Sequence, residues 1–354
     1  MNPRTIAILA AATLLALLLA LALPGPGDAP SDGQGEALVP GLRDIVNEVD
    51  AIDVLGPDGG FVVRLRRDEA RWRVPEKDNY EADFERVQRL LRDLATGQRA
   101  DERTSNPDWY ARLGVQAIGE PDSVGVRLDF PGSELPSLII GQLDSTERGR
   151  FVRLADQART WLSDRDIEVP TDSIEWLERA IMDIPATELA QVTVLHPDGD
   201  TVQLRPAGEE TDDWVVFNVP EGREAAPMWE LRPLTNGLAN LQLEDVRRHD
   251  ALPEDAVRAL FVTNDGLNFV ATLFEDEGED ASGDDEGGWV HFSVSAEVAA
   301  SEGQELSDEA ARISADAAAV NERLAPWQFR LPERKFDSLT KRLEDVLAEL
   351  EEES

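Results

Sequence analysis

Ala51-Ile-Asp-Val-Leu-Gly-Pro-Asp-Gly-Gly-Phe-Val-Val-Arg-Leu-Arg66 decides how this chain is read, because its plan returns as Gln191-Val-Thr-Val-Leu-His-Pro-Asp-Gly-Asp-Thr-Val-Gln-Leu-Arg205. Phe61, Val63 and Leu65 alternate with Arg64 and Arg66, the period of two expected of a half-buried strand. Between the strands stands Pro57-Asp58-Gly59. Proline fixes φ at the first corner, aspartate tolerates the second, and glycine accepts φ > 0. Each copy continues with a tryptophan strand, beginning at Trp72 or Trp214, and then with a leucine-spaced run, Val87–Leu94 or Leu231–Leu241. The offset grows from 140 (Asp58 to Asp198) through 142 (Trp72 to Trp214) to 144 (Leu94 to Leu238). Small loop insertions produce such a drift, so the sequence predicts a duplicated unit of strand, turn, strand, strand and helix.

Working outward, Leu42, Ile45, Val46 and Val49 have the spacing of a short helix before the first copy. Asn106-Pro-Asp-Trp109 supplies a cap, with Trp109 and Leu113 one helical turn apart. Val124 to Phe130, Leu138 to Leu143 and Phe151 to Leu154 read as a meander. Ile174, Leu177 and Ile181 predict a helix capped by Asp172 or Ser173, and Phe336 to Leu350 predicts a final amphipathic helix. Trp161 finds its counterpart in Trp327 at an offset of 166. The added length is assigned to an acidic insertion at 275–288 and to an Ala-rich helix or loop at 302–321.

The chain of 354 residues is long enough for two domains, and 42% apolar residues allow a sizeable core. Seventy-two acidic against 34 basic residues give a net charge of −38, a field that repels nucleic acid and anionic headgroups. Cysteine is absent, which removes disulfides, Cys-ligated zinc and thiol catalysis. Ile6 to Leu23 is an apolar run interrupted only by Thr13, with Arg4 before it and Asp28, Asp32 and Glu36 after it. Such a run matches the ~30 Å of a bilayer core at ~1.5 Å per residue. The charge asymmetry places the N-terminus inside and the body outside. Residues 1–23 are read as a signal-anchor, with a signal peptide cleaved near Ala20-Leu21-Ala22 as the alternative. Residues 24–39 read as a flexible tether.

No P-loop, H-E-x-x-H, G-x-S-x-G or strand-linked G-x-G-x-x-G occurs. His196, His249 and His291 are scattered, and packing or solvation is the expected role of each. The acidic stretch 275–286 lacks the ligand spacing of a calcium loop, so a solvated insertion is the simpler reading. Trp72, Trp161 and Trp214 lie in apolar alternation and predict core packing rather than carbohydrate stacking. No catalytic, cofactor-binding or metal-ligating residue is assigned.

The apolar N-terminal segment, the Asp-Gly hairpin, Trp72-Arg-Val74, Asn106-Pro107 through Leu113-Gly114, and Trp161-Leu162 leading to Pro170 and Trp176-Leu177 together resemble bacterial proteins carrying the domain of unknown function 4340. That resemblance implies an envelope accessory of an ABC-type export system, working beside permease and ATPase subunits or auxiliary envelope proteins of the gliding-motility type, and supplies no functional residues. The sequence-based expectation is therefore an α+β protein: an N-terminal membrane helix, then two tandem units of antiparallel β-meander with packed helices at 40–182 and 183–354. It is expected to sit in the bacterial inner membrane through residues 6–23, body on the periplasmic side, as a non-catalytic accessory without a cofactor. The alternative is a ligand-binding module using a cleft between the repeats.

Overall fold

The computed structural model describes residues 35–146, 148–208, 211, 213–275, 287–296 and 307–348. The expected membrane helix, most of the tether and most of the acidic insertion lie outside the described residues. Among the described residues, no helix is long and apolar enough to cross a membrane. The fold is mixed, with large antiparallel sheets and six α-helices among the described residues. The chain divides into two compact units, 1–67 with 85–171, and 68–84 with 172–354.

The first unit begins with β1 (Glu36–Ala37), α1 (Leu42–Ile45), β2 (Ala51–Leu55) and β3 (Phe61–Asp68). The short β4 (Arg71–Val74) and β5 (Tyr80–Glu81) pair with each other and fall in the second unit. Then come α2 (Phe84–Thr96), β6 (Gln98–Glu102), α3 (Tyr110–Leu113), β7 (Val126–Asp129), β8 (Leu138–Leu143), β9 (Arg150–Leu154) and β10 (Thr160–Ser163). Its sheet runs β1-β6-β10-β9-β8-β7-β2-β3. As the alternation predicts, Ile52, Val54, Val63 and Leu65 are buried on one side of β2 and β3. Helix α2 buries Val87, Leu90, Leu91 and Leu94, each removal from water contributing roughly 1.5–3 kcal/mol. The opposite, outward side of this sheet is covered too. Between β6 and β7, residues 103–125 fold back so that Tyr110 and Val115 pack on Ile139, with Leu113, Ile118 and Phe151 beside them. Asn106 starts that cover by accepting the Asp108 N–H at 3.2 Å, while Trp109 stays exposed with Arg112 over its ring.

The second unit contains β11 (Ala180–Met182), β12 (Leu189–Leu195), β13 (Thr201–Pro206), β14 (Trp214–Val216), α4 (Met228–Thr235), β15 (Leu241–Gln242) and β16 (Asp245–Arg248). It continues through β17 (Val257–Thr263), β18 (Leu267–Phe274), β19 (Trp289–Ala296), α5 (Asp308–Leu324), β20 (Trp327–Arg330) and α6 (Glu333–Leu339). The main sheet runs β14-β13-β12-β17-β18-β19-β20-β16, and β11 pairs with β15. Val192, Leu204, Phe261, Phe269, Phe292 and Phe329 form its buried side with Leu231, Leu234 and Leu339. Its outward side is exposed at the β12–β14 end and buried at Thr272, His291 and Gln328, which register places in one row on that side. The connection from β16 to β17 is only residues 249–256, and Leu195, Val215 and Phe217 are exposed.

Four sequence-based expectations need correction. Ile174–Ile181 is not a helix: Asp172 accepts the Ile174 N–H, Leu177 closes a single 3₁₀ turn, and the chain then extends through a bridge to Ala82 into β11. The second leucine run is helical only as far as Thr235. Pro233 lies within it, and Leu241 is already in β15. The last helix stops at Leu339, because the Arg342 and Leu343 N–H groups bond Asp345 and Asp200 instead of the preceding turn. Trp161 is half-buried, flanked by the Arg99 and Arg159 guanidiniums, whereas Trp72 and Trp214 are buried as expected.

Candidate functional site

The residues with the most chemistry gather at one end of the second sheet, around a cavity of about 970 Å³. Strand pairing brings them there. Register places Arg247 of β16 opposite Gln328 of β20, and Gln328 opposite His291 of β19. His249 follows β16 directly, so its ring reaches His291 and stacks on it, centroids 3.9 Å apart and planes 27° apart. Gln328, almost fully buried, links the two sides. Its carbonyl oxygen accepts from Arg247 Nε at 2.8 Å, and its amide nitrogen faces His249 Nδ1 at 3.4 Å. His291 Nε2 donates to the Ala325 carbonyl at 3.0 Å. Burial, above all, lowers the pKa of His291, and a charge on His249 would lower it further. The His291 ring is thereby held neutral at neutral pH.

The arginines at this end are seated on aromatic faces. Arg247 lies 3.9 Å over the Trp289 ring and Arg248 4.2 Å over the Trp327 ring. Trp327 in turn meets Tyr80 edge-on at 4.9 Å. The Tyr80 hydroxyl donates to the Glu178 carbonyl, and burial raises its pKa far above the ordinary phenol value. Lys77 pairs with Asp245 at 2.6 Å, and Asp78 accepts the Arg248 backbone N–H. Across the cavity, Arg342 bonds Asp198 at 2.8 Å in the repeated Asp-Gly turn. The Asp198 carboxyl is held below the usual carboxylate range, first by the Asp200 N–H and then by Arg342. His196, also lining the cavity, faces the Lys341 carbonyl at 3.3 Å.

The three histidines singled out in the sequence thus lie at one end of the sheet, two of them in contact. Among the described residues, no group of three or more His, Asp or Glu is placed to hold a metal ion. The acidic stretch 276–286 lies outside the described residues. What the arrangement does chemically is hold charge: cations on aromatic rings, carboxylates on backbone N–H groups, and a stacked imidazole pair between them. The Arg342–Asp198 link spans 144 residues, and nothing in a chain with 106 charged side chains marks that pair in advance.

The family described as "Domain of unknown function (DUF4340)" matches residues 72–259, more than half of the chain. No curated protein and no solved structure matches it.

Proposed function

We propose, for a chain that belongs to the DUF4340 family, a non-catalytic accessory or scaffold role: a protein anchored in the bacterial inner membrane by residues 6–23, with its body outside the cytoplasm, serving an ABC-type envelope transport system. The observation that carries the reading is the apolar run 6–23 with Arg4 before it and acids after it, since charge asymmetry orients such segments. The body is read as two tandem copies of one unit. Seven strands support this, in the order β6-β10-β9-β8-β7-β2-β3 in one sheet and β16-β20-β19-β18-β17-β12-β13 in the other. The turns agree bond for bond. Gly56 N–H donates to Gly60 and Gly59 N–H to Gly56, and His196 N–H donates to Asp200 and Gly199 N–H to His196, each at 2.8–3.0 Å. Asp58 and Asp198 each accept the N–H two residues on, and Gly59 and Gly199 both hold positive φ.

The test is purification of the tagged full chain from native membranes. A permease and an ATPase subunit co-eluting in fixed ratio are the expected result. Recovery of the chain alone, or cytoplasmic activity of a reporter fused after Ser354, would overturn the reading.

A further inference from the structure

Along β12–β14 and β17–β19 the outward side of the second sheet carries no acidic residue, Asp245 of β16 being the acid at its far edge. Cross-strand register assigns that side. Thr193 stands opposite Gln203 and Leu260, Leu260 opposite Val270, and Val270 opposite Ser293. The parallel row through Leu195 contains Arg258, and the row through Gln191 contains Val262. Arg205 opposes Val215 on the edge strand. Every outward position of β12, β13, β14, β17, β18 and β19 can be read this way, and none is Asp or Glu. The chain has 72 acidic residues in 354, so a face of this size would ordinarily carry several. Instead it carries Arg205 and Arg258, both exposed, and a patch in which Phe217 is 61%, Val215 45% and Leu195 45% exposed. The Arg205 guanidinium rests 4.3 Å over the Phe217 ring, which holds cation and apolar surface together.

We infer that this face docks an acidic segment of a partner protein bearing aromatic or aliphatic side chains. Charge complementarity selects the occupant. A strongly acidic partner is repelled by a chain of this charge and finds, among the described residues, an acid-free stretch across β12–β14 and β17–β19, which fixes its orientation as well as its place. The exposed Phe217 and Val215 supply the apolar anchor that such a segment needs. A second copy of this chain fits less well, because two copies meeting through this face would set like charges together, and pairing it with any other face would not close. An anionic bilayer fits less well because the net charge of −38 opposes the approach of the whole chain to it. The inference deepens the scaffold reading by naming the chemistry of the partner, and in that respect rests on it.

The probe is a fluorescent random copolymer of glutamate and tyrosine, titrated into the full chain in detergent. Polyglutamate, a lysine–tyrosine copolymer and phosphatidylglycerol vesicles are the comparisons. Binding of the glutamate–tyrosine copolymer above all three is expected. Arg205→Glu with Arg258→Glu should weaken it by about tenfold or more, and Phe217→Ser should weaken it without altering its salt dependence. Both variants lie on an open face, and an unchanged melting temperature confirms that they fold. Equal binding by wild type and variants, preference for the vesicles, or self-association abolished by the same variants would overturn the proposal. Failure of the transporter reading is separable. Copurification without permease or ATPase, together with copolymer binding lost in the variants, refutes that reading and keeps this one. A copurified partner retained in full by the variants does the reverse.

Discussion

The connection from β6 to β7 has 23 residues, 103–125, and that from β16 to β17 has eight, 249–256. The strands around them follow one order in both sheets. In the first unit the long connection lays Tyr110 and Val115 on the sheet. Arg153 pins it there, donating to the carbonyls of Val115, Ala155 and Gln157 and lying over the Tyr110 ring. In the second unit the short connection delivers His249 to the sheet's end and leaves the β12–β14 end of its outward side open. Strand order therefore settles which residues can be buried, and connection length settles how much of the second side is buried.

The strongest test of the shared part of this comparison is truncation of the paired tryptophans. Trp72 and Trp214 are 4% and 5% exposed, so Trp72→Ala and Trp214→Ala should each cost about 3–5 kcal/mol in denaturant melting. One neutral and one severe result would break the equivalence. The next test addresses the difference. Arg153→Met strands three carbonyls beneath the cover and should cost about 2–4 kcal/mol, while Arg258→Met on the open side should stay within about 0.5 kcal/mol. Comparable losses would mean that the second face is covered after all.

Smaller effects sharpen the comparison at the helix ends. Lys335 donates to the carbonyls of Asn236, Gly237 and Ala239 after α4, and burial lowers its pKa. The end of α2 is served by the more exposed Arg165, bonded to Thr96. Lys335→Met should cost about 1–2 kcal/mol and Arg165→Met a few tenths, read by thermal melting. Reversal of that order would show that burial does not set the strength of these caps. The smallest effect belongs to His291. Its pKa in the fold lies below 6.5, so between that value and 6.5 the unfolded chain holds a proton that the native chain lacks. Stability is full above pH 6.5 and falls as the pH drops toward the native pKa. His291→Gln should flatten that part of the profile, and an unchanged slope would clear the imidazole of responsibility.

Much of this architecture was legible because alternation and turn chemistry act locally. Asp58-Gly59 and Asp198-Gly199 specify their hairpins by bonds two residues long. The failures arose where distant partners competed with helical periodicity. Leu177 has the right spacing for a helix, but Ala82 bridges to its backbone. Leu343 could continue a helix, but Asp200 takes its N–H from 143 residues away. The stacked histidines were individually visible, yet only the pairing of β19, β20 and β16 brings them together. The acid-free face left a signal that hydrophobic periodicity does not register, namely the absence of Asp and Glu from the polar positions of β12, β13, β17, β18 and β19.

The pairing of β16 with β20 also sets a timetable. Its register joins Asp245 to Arg330 and Arg248 to Trp327, so β16 must wait for some 80 more residues before its neighbour exists. Lys77 and Tyr80 wait longer still, for Asp245 and Trp327. At ribosomal rates of ~5–20 residues per second, that is a delay of many seconds for Tyr80. During it an aromatic ring and a strand edge stay without their final cover. The first unit closes most of its own contacts by residue 171, whereas the second is completed only once β20 has left the ribosome. A chain arrested before Trp327 would therefore carry a finished first unit and an unfinished second one, a natural substrate for chaperones or proteases.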